Sequence, residues 1–301
     1  MRNLLLTTTT LAMTASFAAA DGLSMSGRAG AGVWTNEAAT STEVWSGIDI
    51  NISASVTTDS GMTFTVGDDF GGGQLIDWDD DYAVDTMGTT IGTPGVTITS
   101  GDTSISLDNQ AKDDLYDDGN SGDIQVSTIL GGASITAVLD TDAAAAVADD
   151  AATAAVDESV PAKPSFSYSV SLPLGGFAVT ATGTDANPAT GVAANVLKAS
   201  YTMDAMTVTI STDDKGAGDS VNKLAVSTNL SGAALSFSAD DNDDWDLGIG
   251  YTEGSITLNL ATDENSAWET NVKVDLGSGA AFRVSAKDSD DWMAAGVTFS
   301  F

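Results

Sequence analysis

The chain has 301 residues, 43 of them acidic and 10 basic, with no histidine and no cysteine, for a formal charge of −33 at pH 7. Without histidine or cysteine there is no Ser–His or Cys–His nucleophile pair, no disulfide framework and no ordinary zinc or copper centre. So acidic a surface repels nucleic acid, yet a hydrophobic content of 42% excludes a disordered acidic tail.

The chain begins Met1-Arg2-Asn3, followed by an apolar, Thr-rich stretch from Leu4 to Phe17 and then Ala18-Ala19-Ala20. A charged start, a short apolar middle and an A-x-A end predict a secretory signal peptide over 1–20, cut after Ala20. The apolar stretch is too short for a spanning helix, which needs about 20 residues. Residues 21–301 are then one domain, and no apolar run in them is long enough to span as a helix. A membrane location would require a closed barrel, because only helices and barrels satisfy their backbone groups in lipid.

From Leu23 onward the dominant pattern is alternation with period two. It predicts strands at 23–34, 43–57, 61–69, 82–91, 95–102, 122–131, 132–141, 165–173, 176–184, 194–204, 205–213, 220–230, 232–240, 244–252, 254–263, 267–277, 279–288 and 291–301. Segment 82–91 is the weakest, and the pattern accommodates 16 to 18 strands. Residues 103–121 and the Ala- and Asp-rich 142–163 read as long loops, of the kind that is functional or disordered.

The turns fall into two classes. Leu130-Gly131-Gly132-Ala133, Pro173-Leu174-Gly175-Gly176, Leu230-Ser231-Gly232-Ala233, Glu253-Gly254 and Gly277-Ser278-Gly279 are short; 184–194, 212–220, 240–244, 263–267 and 287–291 are longer and acidic. Short turns at one end and longer loops at the other are the pattern of an outer-membrane barrel.

One face of the strands carries Phe166, Tyr168, Val170 and Leu172, then Val272, Val274 and Leu276; the other carries Ser167, Ser169 and Ser171, then Asn271, Lys273 and Asp275. A soluble sandwich would enclose the apolar face. Three cues favour a polar interior. Trp45, Trp245 and Trp268 fall at outer strand ends and Phe177, Phe282 and Phe301 at the opposite ends, as interfacial aromatic girdles require. The chain closes on an alternating strand with a terminal Phe301. The export signal and the absence of cysteine fit the same compartment. On this reading Arg28, Lys198, Lys223, Lys273 and Arg283 are cations of the pore wall. Each lies on the polar face; a cation at the lipid midplane would cost about 2–4 kcal/mol.

Several stretches resemble a known family. Leu23-Ser24-Met25-Ser26-Gly27-Arg28-Ala29-Gly30-Ala31-Gly32-Val33 looks like the first strand of alphaproteobacterial general porins of the Rhodobacter type. Gly61-Met62-Thr63-Phe64-Thr65-Val66 is similar to an early strand of theirs, and Pro94-Gly95-Val96-Thr97-Ile98-Thr99-Ser100-Gly101-Asp102 to the segment before the loop that enters the pore. Val297-Thr298-Phe299-Ser300-Phe301 completes the likeness. The resemblance implies a transmembrane antiparallel up-and-down β-barrel of 16 strands, assembled as a homotrimer in outer-membrane lipid and lipopolysaccharide. It also implies an inward-folded constriction loop, placed at 103–121, so that Asp108, Lys112, Asp113, Asp114, Asp117 and Asp118 line the constriction. Carboxylates there would attract cations across from the basic wall. The expected function is passive diffusion of small hydrophilic solutes and ions, with cation preference and no enzymatic chemistry. Ala29, Ala31 and Ala54 are candidates for a subunit contact.

Other motifs carry less. Asp240, Asp241, Asp243 and Asp244, like Asp77, Asp79, Asp80 and Asp81, are dense enough in oxygen ligands for Ca²⁺ or Mg²⁺, but lack EF-hand spacing. No other cofactor is expected. Gly71-Gly72-Gly73 is not a nucleotide loop, since no Lys-Ser/Thr follows. The alternative is a secreted acidic β-rich protein, solenoid or adhesin-like, although no fixed repeat period is present.

Overall fold

A computed structural model describes residues 22–35, 42–78, 82–116, 121–141, 165–185, 193–216, 220–288 and 291–301. The expected signal peptide, the 142–163 loop, Asp79, Asp80, Asp81, Asp117 and Asp118 lie outside the described residues.

The described residues form β1 (Leu23–Thr35), β2 (Glu43–Thr57), β3 (Thr63–Ile76), β4 (Val84–Thr86), β5 (Gly95–Ser100), β6 (Thr103–Asp113), β7 (Ser121–Leu130), β8 (Ala133–Asp140), β9 (Ser165–Leu174) and β10 (Phe177–Thr184). They continue as β11 (Ala194–Met203), β12 (Met206–Asp214), β13 (Val221–Leu230), β14 (Ala233–Asp240), β15 (Trp245–Glu253), β16 (Ile256–Asp263), β17 (Trp268–Gly277), β18 (Ala280–Lys287) and β19 (Trp292–Ser300). No helix among them is long and apolar enough to cross a membrane.

Eighteen strands close into one antiparallel ring, running β1-β2-β3-β5 and then in order to β19, which pairs with β1. The closing ladder runs from Arg28↔Ser300 to Thr35↔Met293 and is extended by Phe301, whose N–H donates to the Gly27 carbonyl at 3.0 Å. Closure leaves no sheet edge to be satisfied from outside. An antiparallel closed ring is a different architecture from the solenoid weighed as an alternative.

The count is eighteen, not the sixteen that the resemblance implied, and one member differs from the eighteen segments expected. Of segment 82–91 only β4 is a strand, and it pairs with β3 alone. Its place in the wall is taken by β6, which pairs with β5 through Val96↔Leu107 and with β7 through Ser104↔Ser127. The stretch Thr103-Ser104-Ile105-Ser106-Leu107 alternates like any other wall strand. The constriction-loop placement at 103–121 is therefore corrected: residues 103–113 are wall.

The short turns are tight because their central residues adopt left-handed backbone. Gly131 and Gly132 have φ of 61° and 87°, and Ser231-Gly232 has 50° and 90°. Two such residues in succession match the right-handed twist of the flanking strands.

Register fixes the faces. Arg28, Gly30, Gly32 and Trp34 of β1 share a face with Asp49, Gly47 and Trp45 of β2. Residues of this face on β9, β12 and β17 touch segments that arrive from other parts of the ring, as only a concave interior allows. The opposite face carries the exposed apolar side chains, among them Ile48, Val66, Phe166, Ile210, Leu260 and Phe282. The apolar face thus points outward and the polar face lines the lumen.

Trp268, Phe177, Phe282 and Phe301 are on the outer face and between 40% and 55% exposed. Trp45 is not a girdle residue: it points into the lumen and is 0% exposed. Adjacent residues of a strand face opposite ways, and Val44, its neighbour, is 75% exposed on the outer face.

Candidate functional site: a lumen narrowed from two sides

Two segments leave the wall and enter the lumen. The first begins at Gly73, whose φ of 76° turns the end of β3 inward. Beyond it, the backbone of Gln74 lies over the inner face of β2, where a Cβ on Gly47 would stand 2.6 Å from the Gln74 carbonyl oxygen. β3 and β4 then form a short hairpin through Gln74↔Thr86, Leu75↔Asp85 and Ile76↔Val84. Leu75, Ile76, Trp78 and Tyr82 pack with Trp45, Trp292 and Ala294 of the wall into the buried apolar cluster, flanked by Trp34, Val84 and Met87.

The cluster has specific geometry. Trp45 and Trp78 meet edge to face at 5.8 Å between centroids, and Tyr82 packs against Trp292 at 5.5 Å. Lys287 Nζ sits 5.9 Å from the Tyr82 ring and 5.8 Å from the Trp292 ring, within range of a cation–π interaction. Asn271 of β17, itself buried, donates from Nδ2 to the Trp78 carbonyl at 3.0 Å. Full burial of one large apolar side chain contributes roughly 1.5–3 kcal/mol, so the cluster holds the hairpin as a fixed part of the pore.

The second segment follows β6. Leu115 N–H donates to Ser167 Oγ of β9 at 3.0 Å, and Ser167 is 0% exposed. Thr184 Oγ1 of β10 donates to Asp114 Oδ2 at 3.3 Å. The Tyr116 hydroxyl donates to Asp213 Oδ1 of β12 at 2.9 Å, with five strands between β6 and β12. Residues 114–116 thus reach inward across the wall strands, although β6 before them does not.

Each expected site residue among the described ones has a definite place. Asp108 and Lys112 form an ion pair at 3.5 Å within β6, where its ladder with β7 shifts between Leu107 and Lys112. Asp113 ends β6 opposite Ser121. Asp114 also accepts from the Tyr116 N–H at 2.8 Å. Arg28, Lys198, Lys223, Lys273 and Arg283 all lie on the inner face: Arg28 pairs with Asp49 at 3.3 Å, Lys223 with Asp246 at 3.4 Å, and Lys273 stands directly opposite Arg283. Lys198 stands between Thr180 and Ser211. Eight strands separate β8 from β17 in either direction around the ring. Lys273, Arg283 and Lys287 of β17–β18 therefore stand across the lumen from Asp108, Asp123 and Asp140 of β6–β8.

The four loop aspartates do not assemble as a metal site. Asp240 Oδ1 accepts from the N–H groups of Asn242 and Asp244, while Asp241 accepts from the N–H and Nδ2 of Asn222. Hydrogen bonds from Asn222 hold the Asp241 carboxyl below its ordinary value of 3.8. The charge of Asp240 beside Asp244 pushes the latter above it. Among the described residues no group of three or more carboxylates is placed to hold a metal ion.

Sequence reasoning missed the 74–87 hairpin. Its signal is nevertheless present. Leu75-Ile76 breaks the alternation, Trp78 is apolar in an acidic loop, and Gly71-Gly72-Gly73 precedes both.

No family model and no curated protein matches the chain. Solved structures do. A mutant of Rh. blastica porin matches with 14% identity over 93% of this chain and 100% of its own, with a TM-score of 0.53. A triple mutant of Rhodopseudomonas blastica porin matches at 14% identity over the same shares, with a TM-score of 0.54. A structure described as showing asymmetric conductivity of engineered proteins matches at 13% and 0.53. Over nearly its whole length, this chain shares the fold of a porin.

Proposed function

We propose that the protein is an outer-membrane porin, a water-filled channel for passive diffusion of small hydrophilic solutes and ions with a preference for cations. The observation that carries this reading is the closed ring itself. Its outer face is apolar, its inner face is polar and charged, and two inward segments narrow the lumen. A lumen lined by Asp, Ser, Thr and Lys is a conduit for water and ions. On this reading the protein filters by size and charge.

The cation preference rests on Asp108, Asp113 and Asp114 at the narrowed side and on the chain's charge of −33. The family resemblance adds Asp117 and Asp118 to the same filter. The signal-like residues 1–20 and the terminal Phe301 support export to the outer membrane. Assembly as a homotrimer embedded in lipid and lipopolysaccharide follows from the family resemblance.

Planar-bilayer recording under a KCl gradient tests the reading. The reversal potential of the wild type should show cation preference. Replacing Asp108, Asp113 and Asp114 together by Asn should move it toward zero. An unchanged potential would overturn the filter, and absence of channels would overturn the porin.

A further inference from the structure

The inner face of β13–β16 brings together four uncharged polar side chains, those of Ser227, Asn229, Ser236 and Asn259. At some places in the wall, opposed hydroxyls pair across the strands, as do Thr97 with Ser106 at 2.9 Å and Ser169 with Thr182 at 3.2 Å. Ser227 and Ser236 also stand directly opposite each other, yet they do not bond. Ser236 instead leans over Gly248, into space that a Cβ there would fill. Among the described residues, the side-chain amides of Asn229 and Asn259 have no hydrogen-bond partner either.

These four side chains line a recess of about 360 Å³. Its floor is shallow-sided because Gly248, Gly250, Ala234 and Ala261 carry little or no side chain. Glu269 and Tyr82 of the inward hairpin also line it. Tyr82 has a φ of 61°, a left-handed conformation that costs a bulky residue energy and persists only where surrounding packing imposes it. Packing against Trp292 and Lys287 supplies that constraint.

We propose that this recess is a subsite for a neutral polyhydroxylated solute of monosaccharide size. The proposal rests on the channel reading and names one solute class for it. Two amides and two hydroxyls offer both donors and acceptors, as a ring of sugar hydroxyls requires, and Glu269 adds one strong acceptor. No cation lines the recess, so an anionic solute gains nothing there. Its volume falls at the lower end of the range for small-molecule sites, about 300–1,000 Å³. Ions and neutral solutes would then use different parts of one lumen: the acidic β6–β8 side and the recess on β13–β16.

Glucose added to a planar bilayer carrying the wild-type channel in KCl tests this. The potassium current should fall saturably with glucose concentration, with added low-frequency noise from binding and release. Replacing Asn229 and Asn259 together by Ala should raise the half-blocking concentration about tenfold, the loss of two neutral hydrogen bonds. A current that falls only in proportion to the bulk conductivity of the solution overturns the subsite and leaves the channel standing. An unchanged half-blocking concentration in the double variant overturns its location. A wild type that forms no channels removes the porin reading and the subsite with it.

Discussion

The indole of Trp45 occupies the space above Gly296: a Cβ on that glycine would overlap the ring at Cζ2. Gly32 also lies under the ring, with its missing Cβ 2.8 Å from the indole nitrogen, and Gly30 meets the far edge of the ring at 2.8 Å. Three glycines on two adjacent strands thus form the bed of the residue on which the inward hairpin packs.

Substituting Gly296→Ala should displace Trp45 and loosen the cluster. Overpacking of this kind costs about 1–3 kcal/mol. The midpoint of thermal unfolding should fall, and tryptophan emission should shift to the red as water reaches the indoles. A variant with wild-type emission and midpoint would show that the bed is not needed.

Asn271→Ala removes the side chain that donates to the Trp78 carbonyl. A buried acceptor left without its donor costs roughly 1–3 kcal/mol. The hairpin should then fluctuate, seen as larger open-channel noise at unchanged ion selectivity. Noise equal to that of the wild type would mean that the aromatic packing alone holds the hairpin.

Tyr116→Phe releases the far anchor of residues 114–116 by deleting one hydrogen bond to a carboxylate, worth about 1.5–3 kcal/mol. Single-channel conductance should rise, because the segment no longer reaches as far as β12. Constant conductance would show that Ser167 and Thr184 suffice to position it.

Lys273→Gln combined with Arg283→Gln removes two opposed cations from the inner face of β17 and β18. The reversal potential should move further toward the cation limit, opposite in sign to the effect of removing the aspartates. A shift in the same direction for both sets would contradict a field across the lumen.

The loop after β14 should titrate in two steps. Asp244, raised by the charge of Asp240, takes up its proton above the ordinary value of 3.8 as pH falls. Folding binds that proton more readily than the unfolded chain does, so acid relieves a repulsion that destabilises the loop at neutral pH. Asp241, lowered by Asn222, contributes stability above 3.8 and loses it only as pH falls through its depressed value. Carboxyl carbon chemical shifts followed through a pH titration should resolve the order, and Asn222→Ala should raise Asp241 toward the usual range. Coincident titration of the two would refute the assignment.

Much of the barrel was legible without coordinates, for one physical reason. In a strand, side chains alternate faces whatever the surroundings, so Ser167-Tyr168-Ser169-Val170-Ser171-Leu172 announces one wet and one apolar face. The same rule placed Arg28, Lys198, Lys223, Lys273 and Arg283 on the polar face, and the positive-φ glycine turns marked where strands reverse.

What the sequence left open was which segment stays in the wall and which enters the lumen. Thr103–Leu107 alternates well and the stretch around 82–91 weakly, but only pairing decides which of them stands in the wall. β5 and β4 share one edge of β3, so β4 is carried inward with the hairpin while β6 takes the open edge of β5. Trp45 is the same case seen from one residue. Alternation put it opposite Val44, but only the closed ring brought Gly296 of β19 beneath it and Trp78 above it. The faces of each strand are a local property fixed by the chain's geometry. The narrowing of the pore is a property of closure, because it depends on residues some 250 positions apart meeting across β1.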